Sequence, residues 1–108
     1  MTPFDLLLRL AGLSLDEAAR FLDVRPDTVA SWRQGRRNPR EAVLDELRRL
    51  ISRQEQEASN ALAIARDLRC PADDTEAQSL GWPCVGAWRA MAGRVIAASH
   101  SVALVPRR

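Results

Sequence analysis

Residues 15–39 read LDEAARFLDVRPDTVASWRQGRRNP, and the fold turns on this stretch. Ser14-Leu15-Asp16-Glu17 is a capping box and opens a helix, with Ala18, Ala19, Phe21 and Leu22 available for packing. Asp23-Val24-Arg25 forms a three-residue turn. Pro26 and Asp27 suit the first turn of the next helix, since proline loses no hydrogen bond there and aspartate complements the helix dipole. That helix carries Val29 and Trp32 and stops at Gly35. Ala19 is small where the two helices approach, Val24 and Val29 fill the space between them, and Trp32 reads as core rather than as a base-stacking platform. Asp27, Thr28, Ala30, Ser31 and Gln34 then face outward with short or polar side chains.

Upstream, Thr2 is a good N-cap with Pro3 behind it. Phe4, Leu7, Leu8 and Ala11 make an apolar helical stripe that Gly12 ends. Downstream, Asn38-Pro39-Arg40-Glu41 reads as another capping box. No Gly or Pro follows until Pro71, and Leu44, Leu47, Ile51, Ala58, Ala61, Leu62, Ala65 and Leu68 keep rough heptad spacing. This is one long helix, or two that break at the capping box Ser52-Arg53-Gln54-Glu55. Pro71 to Gly81 is the most loop-like stretch and the expected internal boundary. Pro83 opens an amphipathic helix through Val85, Trp88, Met91, Ala92, Val95 and Ile96. Residues 101–106 read as a short strand without a convincing partner in the chain, which suggests antiparallel pairing with a second subunit.

The charge is unevenly spread. All 16 basic residues are arginine, and the formal net charge is only +2. Residues 25–40 hold Arg25, Arg33, Arg36, Arg37 and Arg40 against Asp27 alone, the footprint expected of a nucleic-acid-binding element. Arg48, Arg49 and Arg53 interleave with glutamates and read as a solvated face. Cys70, Cys84 and His100 are too few for an ordinary four-ligand zinc site, and each cysteine reads as a small apolar residue. No apolar run is long enough for a membrane span, and no signal peptide is evident, so a cytoplasmic protein is expected. No nucleophile–base–acid set and no phosphate-cradling glycine loop is present, so an enzyme is not expected and no cofactor is implied. Exposed aromatics for stacking on unpaired RNA bases are scarce.

Thr28, Val29, Trp32, Gly35 and Pro39 fall on the pattern T-[VI]-x-x-W-x-x-G-x-x-x-P. The segment thereby resembles the helix-turn-helix of the lambda-repressor/Cro-like (XRE-type) regulators, over residues about 3–52. Asp23 departs from the glycine frequent in that turn, and Arg25 from the usual Ser or Thr cap. The order of head, connecting helix, helix around Trp88-Arg89 and terminal Val102–Val105 strand also resembles the anti-CRISPR-associated autorepressors of phages, whose C-terminal part makes the dimer.

These resemblances imply a mainly α protein: a helix-turn-helix head over residues 1–52, and a helical dimerisation tail over residues 53–108 that ends in one short strand. They imply a dimeric repressor of an inverted-repeat operator in double-stranded DNA, its own operon being the expected target. Pro26, Asp27, Ala30 and Ser31 would face bases. Asp27 either accepts from a cytosine amino group or only caps its helix. Arg25, Thr28, Gln34, Arg36, Arg37 and Arg40 would clamp phosphates, and Arg33 would reach either. Trp88, Val95, Val102 and Leu104 would make the dimer, with Trp82 in its core. The alternative is an antitoxin that binds both DNA and a toxin, using the C-terminal region for its protein partner.

Overall fold

A computed structural model of the chain describes residues 1–64, 67–99 and 103–106. These residues are mainly helical. Their elements run α1 (Pro3–Ala11), α2 (Leu15–Leu22), α3 (Pro26–Gln34), α4 (Glu41–Ile64), β1 (Asp67–Cys70), α5 (Asp74–Ser79), α6 (Val85–Ala98) and β2 (Ala103–Pro106). Two compact units, Met1–Ile51 and Ser52–Arg108, divide the chain, with α4 running through the boundary.

In the first unit local signals set the helix ends. Thr2 is extended, and its Oγ1 accepts a hydrogen bond from the Asp5 N–H at 3.1 Å. Ser14 and Glu17 complete the reciprocal capping box, the Glu17 N–H to Ser14 Oγ at 3.2 Å and the Ser14 N–H to Glu17 Oε1 at 2.9 Å. All three short helices stop by the same device. Gly12, Asp23 and Gly35 take left-handed backbone angles (φ 76°, 56° and 79°). The next N–H then turns back to a carbonyl in the last turn: Leu13 to Leu8 at 3.1 Å, Val24 to Ala19 at 2.9 Å and Arg36 to Ser31 at 3.0 Å. These are Schellman closures, which satisfy carbonyls that a helix end otherwise leaves open. Asp23 is the sole non-glycine with positive φ among the described residues.

The core of this unit gathers Phe4, Leu8 and Ala11 of α1, Ala18 and Ala19 of α2, Val29 and Trp32 of α3, and Leu47, Leu50 and Ile51 of α4. Phe4 meets Trp32 edge to face, with ring centroids 5.4 Å apart. Such a pair adds about 0.5–1.5 kcal/mol to the burial of the rings themselves. Thr2 Oγ1 also faces the Trp32 and Arg33 carbonyls, each at 3.4 Å, so the cap of α1 serves the open end of α3.

α4 departs from the sequence reading at both ends. It starts at Glu41 rather than Pro39, with the Val43 N–H bonded to the Arg40 carbonyl at 3.0 Å. Asn38 and Pro39 instead line a recess with Thr2, Phe4, Trp32 and Leu44. The helix passes Ser52 without a break and reaches Ile64. Leu68, placed on the helix by its heptad spacing, lies in β1.

In the second unit β1 pairs with β2 in parallel, Asp67 opposite Ala103 through Cys70 opposite Pro106. The expectation of one lone strand seeking a second subunit is thereby corrected. The partner lies in the same chain, and a side-chain alternation too short to announce a strand puts Leu68 inside between exposed Asp67 and Arg69. The stretch 71–81 is not a loop either, and it falls inside this unit. It holds α5, whose Asp73 Oδ1 accepts from the Glu76 N–H at 2.8 Å. α6 begins at Val85, two residues after Pro83. The core comprises Leu68, Ala77, Trp82, Cys84, Val85, Ala87, Trp88, Met91, Ala92 and Val95, together with Ala58 and the fully buried Gln54 of α4. Gln54 Nε2 donates to the Ala87 carbonyl at 3.0 Å, so a polar residue on the buried face of α4 meets the backbone of α6.

Candidate nucleic-acid interface

α3 buries Val29 completely and Trp32 nearly so, which fixes which side it turns outward. Pro26, Asp27 and Gln34 are exposed, and Thr28, Ala30 and Ser31 are half-buried. Asp27, Ala30, Ser31 and Gln34 follow the three- and four-residue spacing that puts side chains on one helical face. Arg25 precedes α3 with extended backbone and gives it no side-chain cap. Among the described residues the Asp27 carboxylate makes no hydrogen bond either, so it closes no capping interaction.

Beyond α3 the left-handed turn at Gly35 redirects the chain. A side chain there would be strained, and its Cβ would stand 3.3 Å from the Thr2 methyl. Arg36, Arg37 and Arg40 follow, all exposed. Among the described residues Arg25, Arg36, Arg37 and Arg40 have no carboxylate partner. Other arginines are paired: Arg48 reaches Glu41 at 2.7 Å and Asp45 at 2.9 Å on the surface of α4. These four guanidiniums sit at the two ends of α3 and just beyond it.

Arg33 differs from these four. Its Nε donates to Asp5 Oδ1 at 3.1 Å, and Arg9 Nε donates to Asp5 Oδ2 at 3.0 Å. Asp5 is 6 % exposed. Burial, the largest single influence, pushes its carboxyl up. The hydrogen bonds and charges of Arg9 and Arg33 together outweigh that and hold it below its ordinary value of 3.8. Beside this cluster a recess of about 210 Å³ is lined by Asp5, Leu15, Ala30, Arg33 and Gln34. Sequence reasoning missed Asp5, because nothing local links it to a residue on another helix.

The sequence reading also missed Arg53. Its guanidinium carbon lies 4.1 Å from the Trp82 ring centroid, and Nη1 donates to the Gly81 carbonyl, so it anchors the α5–α6 connection instead of only facing solvent. Trp82, Trp88 and Val95, predicted for a dimer interface, are 5 %, 5 % and 0 % exposed. Their own chain already covers them. Leu104 on β2 is exposed at 57 %, while Val102 and His100 lie outside the described residues. Cys84 is buried and Cys70 half-buried, and neither forms a disulfide. Among the described residues no cluster of His, Cys, Asp and Glu suits a metal ion, and no helix is long and apolar enough to cross a membrane.

Comparison with family models and with curated proteins returns no match for this chain. The functional reading therefore rests on the residues and their geometry.

Proposed function

We propose that the chain is a sequence-specific DNA-binding transcriptional regulator. In this reading α2, the turn Asp23-Val24-Arg25 and α3 act as a helix-turn-helix of the lambda-repressor/Cro-like kind. α3 enters the major groove with Asp27, Ala30 and Ser31 toward base edges, and Asp27 accepts from a cytosine amino group. Thr28, Gln34, Arg25, Arg36, Arg37 and Arg40 hold phosphates and set the register. A homodimer places two copies of α3 about 34 Å apart on an inverted repeat and represses by occluding a promoter, that of its own operon.

The observation that supports this reading best is the set of unpaired arginines flanking the exposed face of α3. Binding to the DNA upstream of its own gene tests it, by fluorescence anisotropy at two salt concentrations with a scrambled duplex as control. Tight, salt-sensitive binding that discriminates against the scrambled duplex is the expected result. No binding to either duplex overturns the proposal.

A further inference from the structure

The Asp5 cluster sets an acidic side chain, 6 % exposed, against the core of the first unit. A buried carboxylate requires compensation, and two guanidiniums supply it, each at its own oxygen. One carboxylate shared by two arginines leaves the group positive overall. Asp5 takes the Nε–H of Arg33, and among the described residues the terminal amino groups of that guanidinium make no hydrogen bond. Arg33 remains 38 % exposed in its side chain, against 8 % for Asp5. It also lines the recess whose wall includes Ala30 and Gln34, residues of the outward face of α3.

We propose that this recess is a binding site for one backbone phosphate of DNA, with Arg33 as its ligand and Asp5 as the positioning residue that orients Arg33. A guanidinium has five donors in a fixed plane. With Nε held by a buried carboxylate, the plane can no longer swing, and the terminal amino groups are presented without the loss of side-chain freedom that a loose arginine incurs on binding. Arg9 holds the other oxygen of Asp5, so the carboxylate itself is fixed and its charge is neutralised before an anion arrives. The inference rests on the reading of α3 as the DNA-facing helix. It assigns Arg33 to phosphate rather than to a base.

Replacement of Asp5 by Asn gives the two effects opposite signs. Asp5→Asn removes a negative charge beside the proposed interface, so electrostatics alone makes every duplex bind more tightly. If Asp5 positions Arg33, the variant binds more weakly despite its higher charge. The probe is a random-sequence duplex titrated by anisotropy across a salt series, because a phosphate contact does not depend on sequence. The lost contact lowers the slope of log K against log salt by about 0.9, which is roughly eightfold in affinity at 0.1 M salt. Arg33→Gln removes the guanidinium that would hold the phosphate, and it is expected to lose a similar amount. It serves where Asp5→Asn proves poorly folded by circular dichroism. Tighter binding by a folded Asp5→Asn, or an unchanged slope in folded Arg33→Gln, overturns the phosphate site and leaves the regulator reading intact. A wild-type protein that binds no duplex at any salt overturns both.

Discussion

Asp74 Oδ1 accepts a hydrogen bond at 2.9 Å from the backbone N–H of Val85, so a residue of α5 caps the start of α6. Cys84, at the N-cap position itself, makes no such bond with its own side chain. Asp74→Ala is therefore expected to destabilise the second unit by about 1 kcal/mol, the usual cost of a lost cap. Asp74→Asn keeps an acceptor and should lose much less. Urea unfolding followed through Trp82 and Trp88 fluorescence, with Trp32 replaced by Phe to silence the first unit, measures the difference.

Asp23 holds a left-handed angle that an L side chain adopts at a cost of about 1–2 kcal/mol, eased for Asp and Asn. Asp23→Gly should stabilise the first unit by a fraction of that figure, and Asp23→Val should destabilise it by about the full amount. Denaturant midpoints for the two variants should fall on opposite sides of the wild type, with unchanged slopes.

Arg25 separates folding from binding. It stands at the N-cap of α3 without capping it. Arg25→Ser adds a cap and is expected to stabilise the protein by about 1 kcal/mol. It also removes one proposed phosphate contact, which should weaken duplex binding and reduce the salt slope by about one. Thermal unfolding and anisotropy on the same preparation should thus move in opposite directions.

The Asp5 cluster makes the first unit acid-sensitive. Its carboxyl is held below the ordinary value, so its stabilising contribution is fully present above the unfolded carboxyl's range, near 3.9. That contribution is lost as pH falls from there through the lower folded-state value. Stability measured between neutral pH and pH 3 should decline at the acid end, and Asp5→Asn should flatten part of that decline while being less stable at neutral pH.

What could be read from the sequence follows the range of the forces involved. The ends of α1, α2 and α3 were legible because Thr2, Ser14, Glu17, Gly12 and Gly35 act on atoms a few residues away. The outward face of α3 followed from Val29 and Trp32, whose burial leaves the other side to solvent. β1 was not legible, since Asp67–Cys70 carries no strong strand pattern and becomes a strand by pairing with distant Ala103–Pro106. α5 was hidden by Pro71 and Gly81, although Asp73 and Glu76 already stood at cap spacing. The Asp5–Arg33 pair and the Arg53–Trp82 stack join residues far apart in sequence, and only the folded chain brings them together.

The parallel pairing of β1 with β2 also bears on the order of folding. The strands can meet only after the whole segment carrying α5 and α6 has been gathered between them. Closing so long a loop is entropically unfavourable until its contacts form together, and it slows the chain's search. The first unit has no such constraint, because short turns join α1, α2 and α3. In a refolding experiment Trp32 should therefore reach its native signal before Trp82 and Trp88. A nascent chain would possess the surface around α3 while its second unit is still being assembled.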